Sequence, residues 1–182
     1  MYPRHARRKR PPLAILALVA VLAACGGGGG GGTTTEAAQG TRVFGVGFTF
    51  SAPPSWQVSH ESRTATVRPA GQGPTLVSVT ALTLRNSYAP TLFAKATREL
   101  DRVTEALAGK LKGKVIARRT VVVDGFRSRQ YDLAYEKNGS GLVDRITFVL
   151  RGKSEYYVLC RWPADEGEPA ACGLLQKTFA VR

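Results

Sequence analysis

Few residues in this 182-residue chain are of types that make or break covalent bonds. It holds two histidines (His5, His60), three cysteines (Cys25, Cys160, Cys172) and thirteen Asp and Glu. A Ser-His-Asp arrangement needs a histidine as base. His60 stands between Ser59 and Glu61 in a predicted strand or turn, with no Gly-x-Ser-x-Gly elbow anywhere in the chain. It reads as a structural or exposed histidine. Paired carboxylates for glycoside hydrolysis would come from a sparse set. Glu99, Asp101 and Glu105 sit on a charged helix face, and Asp165, Glu166 and Glu168 lie in a loop, so solvated or salt-bridged surface groups are expected. Gly45-Val46-Gly47 starts like a dinucleotide-binding fingerprint but lacks the third glycine and a following helix. Asn138-Gly139-Ser140 matches a glycosylation sequon in form and reads as a turn. Two thiols and one imidazole rarely complete a zinc site, and no Cys-x-x-Cys redox pair exists. No catalytic residue, metal or cofactor is expected.

The first cysteine is informative through its flanks. A basic start (Arg4, Arg7, Arg8, Lys9, Arg10) precedes Pro11-Pro12 and an apolar run from Leu13 to Ala24. The run closes as Leu22-Ala23-Ala24-Cys25, and seven glycines follow. Twelve apolar residues are too few for a transmembrane helix, which needs about 20. A basic n-region, a short apolar h-region and small residues at the cut form the secretory pattern. The segment resembles a bacterial lipoprotein signal peptide with its lipobox. The resemblance implies that residues 1–24 are removed and that Cys25 becomes an acylated, palmitate-type N-terminus. More than one lipid chain gives stable attachment, so it also implies a permanent anchor on the extracytoplasmic side of the cell membrane. The alternative is an ordinary secretory signal with an incidental cysteine at the cut.

Removing the signal changes the charge. Five of the 26 Lys and Arg precede Cys25 and none of the 13 Asp and Glu do, which leaves 21 basic against 13 acidic residues, a net of +8. That sign favours anionic partners such as lipid headgroups or wall polymers. Nucleic acid is excluded as a natural target for an exported, anchored protein. With Cys25 acylated, Cys160 and Cys172 remain, and an even pair in an exported chain points to one disulfide. It would close a 13-residue loop. Chain entropy assigns about 3 kcal/mol to a loop of that size.

The elements that must position these groups begin after a tether. Residues 25–40, the acylated cysteine with its Gly-rich run, hold nothing large enough to nucleate a core. A flexible stretch of this length reaches about 20 Å. Residues 41–182 then form one domain. Phe48-Thr49-Phe50 alternates as a strand. Trp56–His60 and Thr64–Arg68 read as a hairpin, and Leu76–Leu84 as a further strand whose two faces are both mixed. A long amphipathic helix follows, capped by Asn86 or Ser87 with Pro90 in its first turn. Its apolar stripe is Leu92, Phe93, Ala96, Leu100, Val103, Leu107 and Leu111. Four strands follow: Val115–Val123, Phe126–Glu136, Leu142–Arg151 and Ser154–Trp162. A short helix over Ala170–Phe179 closes the chain. Consecutive hairpins with segregated helices make an α+β domain on an antiparallel sheet.

This order resembles the PsbP-like fold from Phe48 to Val181. It runs through a Phe-x-Phe strand, Pro53-Pro54-Ser55-Trp56, more strands, one long helix, a meander and a short C-terminal helix ending in a Phe. The fold is shared by photosystem extrinsic proteins, the Ran-binding Mog family and actinobacterial lipoproteins of the LpqN type. The resemblance implies a binding or assembly module without an active site. It brings no particular partner.

One chemical feature is read from the meander. A five-residue loop at 137–141 sets Arg127 opposite Arg151 and Arg129 opposite Val149. A three-residue loop at 152–154 sets Arg145 opposite Arg161. One face then carries Arg127, Arg129, Arg145, Arg151 and Arg161 with Tyr131 and Tyr157 between them, suited to phosphate or carboxylate groups. The other face carries Ile146, Phe148, Leu150, Tyr156, Val158 and Cys160 under the helices. A two-residue loop at the second turn would flip the last strand and scatter the arginines. The expected function is non-catalytic binding of an envelope protein or an anionic lipid or polymer. An enzyme whose site converges only in three dimensions, and a structural accessory of a membrane complex, are the alternatives.

Overall fold

Alternating apolar residues decide which side each strand turns to the interior. The computed structural model describes residues 40–182; Cys25, the signal segment and the tether up to residue 39 lie outside the described residues. In chain order the strands are β1 (Thr41–Gly45), β2 (Phe48–Ala52), β3 (Gln57–Glu61), β4 (Thr64–Arg68), β5 (Leu76–Tyr88), β6 (Lys114–Val123), β7 (Phe126–Lys137), β8 (Ser140–Pro163) and β9 (Ala180–Val181). A 3₁₀ turn (Pro90–Leu92) leads into α1 (Phe93–Lys110), and α2 (Ala170–Thr178) precedes β9. The result is α+β: one long helix, one short C-terminal helix and antiparallel sheets. β1-β2-β9 form a small sheet and β3-β4-β5-β8-β7-β6 a large one.

Two apolar layers separate these parts. Phe48 and Phe50 of β2 are fully buried with Val77 and Val79 of β5, Tyr156 and Val158 of β8, and Leu175 of α2. The Phe48 ring stands edge-on to Tyr156 at 5.9 Å between centroids and lies where a Cβ on Gly45 would project. On the opposite face of the large sheet, Leu100, Leu107 and Ala108 of α1, with Leu111 directly after it, pack on Tyr131, Leu133, Ile146 and Phe148. For β5 this resolves the mixed alternation. Val77, Val79 and Ala81 face the first layer, while Leu76 and Ser78 are buried on the α1 side.

Two local expectations change. Asn86 and Ser87 do not cap α1, because β5 runs on to Tyr88 and the helix begins only after Pro90. After an irregularity between Thr83 and Tyr88 the strand pairs again at Tyr88 with Gly152, and that pairing holds the segment extended. The apolar stripe of α1 is not wholly covered either: Leu92 is 43 % and Val103 56 % exposed.

The larger change concerns β8. It is an unbroken run of extended backbone that doubles back on itself near Gly152. Its outgoing limb pairs with β7 and its return limb with β5. Ala164 N–H donates to Gly141 O, Arg161 bonds Asp144, and the Phe148 and Tyr157 rings meet edge to face. All three contacts agree on one register, which leaves Gly152-Lys153 as a two-residue turn. Gly152 has φ +54°, the left-handed value a tight hairpin turn asks of its first central residue. The preceding turn is also two residues long: Lys137 pairs with Ser140, and Asn138 and Gly139 take φ +52° and +76°. Both expected loops were therefore too long by the parity that matters. The outgoing limb is displaced by one residue against both neighbours.

Candidate binding groove

That displacement divides the expected arginine face. Arg127, Arg129 and Arg161 stay together with Tyr131 and Tyr157, on the side of the sheet that α1 covers. Arg145 and Arg151 move to the other side, with Thr147 and Val149. The apolar set divides with them: Ile146 and Phe148 lie under α1, whereas Tyr156, Val158 and Cys160 face α2 and the small sheet. A single basic face does not exist.

Three of the five arginines are also occupied. Arg129 Nη2 donates to Asp101 of α1 at 3.1 Å, and Tyr131 donates to the same oxygen at 2.7 Å. Burial works against the Asp101 carboxylate, but the bonds from Tyr131 and Arg129 outweigh it and hold its pKa below the usual carboxylate value. Burial, with the bond to Asp101, pushes Tyr131 up to about 12. Arg145 donates to Asp132 at 2.8 Å and also pairs with Glu168, in the loop before α2. Arg161 donates twice to Asp144, at 2.7 and 2.8 Å, and Tyr135 donates to that carboxylate at 3.2 Å. These are internal cross-links between strands and helices. Arg127 stacks on Phe93 and Arg151 on Phe126, and neither makes an ion pair among the described residues.

His60 lies exposed on edge strand β3 and makes no ion pair among the described residues. Among the described residues no group of three or more His, Cys, Asp or Glu is placed to hold a metal. Cys160 and Cys172 form a disulfide joining the return limb of β8 to α2, with Cα atoms 5.7 Å apart. That spacing lies in the usual disulfide range.

What the sequence did not signal is a groove at the end of the domain where α1 begins. The late helix start creates it. β5 runs past the point at which the helix was expected, so its last residues face the first turns of α1 across a gap. Leu84 and Tyr88 of β5 form one wall, Leu92, Ala96 and Leu100 the other, and Leu150 and Glu155 of β8 the floor. The volume is about 280 Å³. Lys95 and Glu99 stand on the helix side. A second concavity shares Tyr88 and Leu150 and continues to Phe93 and Arg127.

Glu155 is the polar exception. It pairs with Leu82 on β5, and the fold-back register sets Leu150 on its other side. It makes no ion pair or hydrogen bond among the described residues. Burial alone raises its pKa above the usual carboxylate value. The alternation of Ser154-Glu155-Tyr156-Tyr157 carried a hint, since a lone acid sits in an aromatic run. Without the register its side could not be read.

No protein-family model matches this sequence, and no curated protein matches it. Solved structures do. CyanoP, the cyanobacterial PsbP of Synechocystis sp. PCC 6803, aligns with a TM-score of 0.61 at 12 % identity, over 84 % of this chain and 98 % of that one. A protein from Bacteroides thetaiotaomicron aligns at 0.59 and 13 % identity over 79 % of this chain, which spans about half (49 %) of that protein's length. Mycobacterium tuberculosis LpqN is a looser likeness, with a TM-score of 0.49, 17 % identity and coverage of 79 % and 90 %. At such identities the likeness is one of fold. The domain is an α+β module with a helix-walled groove beside an antiparallel sheet, and its fold is PsbP-like.

Proposed function

We propose that this chain is a non-catalytic binding module of the cell envelope, held on the extracytoplasmic side of the membrane by an acylated Cys25. Residues 1–24 act as the signal, residues 25–40 as the leash, and residues 41–182 as the binding domain. The groove walled by α1, β5 and β8 supports the reading most directly. It is open and most of its exposed surface is apolar, with polar groups of Asn86, Ser87, Lys95, Glu99 and Glu155 along it. A groove of that kind fits recognition of an apolar ligand. Cys25→Ser in the native host tests the anchor. The unchanged protein is expected in the membrane fraction with acyl chains on residue 25 by intact mass, and the variant without them. A bare Cys25 in membrane-bound wild type would overturn this part.

Of the five arginines expected on one face, Arg127 and Arg151 are the candidates for an anionic partner. They lie at the same end of the domain and make no ion pair among the described residues. Exposed guanidinium groups of this kind suit headgroups or wall polymers, and the contact would be salt-sensitive. Arg127→Glu with Arg151→Glu is expected to weaken sedimentation with anionic vesicles by about thirty-fold or more, as the loss of about 1 kcal/mol for each of the two cations near the surface implies. Unchanged sedimentation at low salt would remove these two residues from the function.

A further inference from the structure

We propose that the groove takes an apolar amine, with the hydrocarbon against Leu84, Leu92, Leu100 and Leu150 and the ammonium on the Glu155 carboxylate. This rests on the groove being the binding site and adds the chemistry of what occupies it.

One carboxylate in the groove is left without a charge partner among the described residues. Every other carboxylate turned toward the sheet has a cation: Asp101 has Arg129, Asp132 has Arg145, and Asp144 has Arg161. Glu155 has none among the described residues, although it is half-buried between leucines. Taking an ionised carboxylate out of water without a partner is costly, so such a group raises its pKa or finds a cation. Glu155 does the first, through burial alone. The charged and titratable groups facing it across the groove are Lys95 and Glu99 of α1 and Tyr88 of β5. Lys95 makes no ion pair with it. A ligand ammonium would supply the missing charge, and its hydrocarbon would cover the open side of the groove and displace water from the pair. An anionic amphiphile would meet the carboxylate instead, and a neutral one would leave it unpaired. Binding of the amine should weaken as pH falls through the raised pKa of Glu155, because the protonated acid no longer attracts the cation.

The test titrates decylamine, decanol and decanoate into the full-length chain at neutral pH, where an alkylamine is protonated. The wild type should bind decylamine about ten-fold to a hundred-fold more tightly than decanol, the range expected of a hydrogen bond to a charged group. Glu155→Gln keeps the shape and should bring the two to similar affinity. Ala96→Phe fills the groove and should abolish specific binding of all three, with thermal unfolding confirming that both variants fold. If all three bind the wild type equally and Ala96→Phe removes them, the groove stands as a binding site and the amine inference is overturned. Tighter binding of decanoate overturns it too. If no probe binds, or Ala96→Phe changes nothing, the groove reading fails and the amine inference with it.

Discussion

Asp144→Ala should lower the stability of the domain by about 3 kcal/mol, near the lower end of what breaking a buried ion pair costs. Asp144 is 3 % exposed and accepts two bonds from Arg161 and one from Tyr135. Removing it leaves a mostly buried guanidinium without its charge and a buried phenol without its acceptor. Arg161 keeps a little access to water, at 22 % of its side chain, and that access moderates the loss. Asp144→Asn should cost less, because an amide oxygen still accepts from Arg161. Arg161→Met combined with Asp144→Ala should recover part of the loss, since neither charge is then stranded. Denaturant midpoints at constant slope would measure all three. A second readout is independent of stability. Tyr135 is pushed up to about 12 by burial first and by the Asp144 charge second, so its titration should move down in Asp144→Ala. A loss below 1 kcal/mol would mean that Asp144 is solvated and that β8 does not fold back as described.

This pair also shows how far the sequence could be read. The α+β class, the long helix, the 57–68 hairpin and the closing helix follow from period and turn residues, which act locally. Register is not local: a slip of one residue preserves every strand and exchanges its faces. The expected pairing set Arg127 opposite Arg151 and Arg145 opposite Arg161, and like charges directly opposite one another are unfavourable. The structure sets Asp132 opposite Arg145 and brings Asp144 to Arg161, opposite signs on both sides of the outgoing limb. Asn138-Gly139 carried the same message, because Asn-Gly, like Asp124-Gly125 between Val115–Val123 and Phe126–Glu136, is a strong two-residue hairpin signal. Charge and turn chemistry agreed with each other against the chosen loops. The groove was illegible for another reason. It depends on where β5 ends and α1 begins, and Asn86, Ser87 and Pro90 satisfy a helix start and a strand end equally well. Only the pairing of Tyr88 with Gly152, sixty-odd residues away, decides between them.

Breaking the disulfide is expected to cost about 3 kcal/mol, within the 2–5 kcal/mol typical when a native bridge is removed from a small secreted domain. The bridge spans a short sequence separation of 12, so unfolded-chain entropy supplies a moderate effect rather than an extreme one. Its position matters as much. α2 is nine residues long with no side-chain cap at its N-terminus, and it is held by Ala171, Cys172 and Leu175 alone among its own buried residues. An isolated helix of that length is unstable in water. Cys172 therefore ties a marginal element to the return limb of β8, the best-paired part of the large sheet. Phe179, directly after α2, carries the same dependence into the first apolar layer, where it packs on Phe48 and Tyr156. Loss of the bridge should loosen α2, β9 and the contact to β2 before it touches α1. Cys160→Ala with Cys172→Ala is the suitable pair, because serines would bury two hydroxyls and add a cost of their own. Denaturant unfolding should show the midpoint falling. Hydrogen exchange should show protection lost over residues 170–181 while residues 93–110 keep theirs. Uniform loss across both helices would mean that the bridge stabilises the domain only as a whole, and an unchanged midpoint would mean that α2 is secured by packing without it.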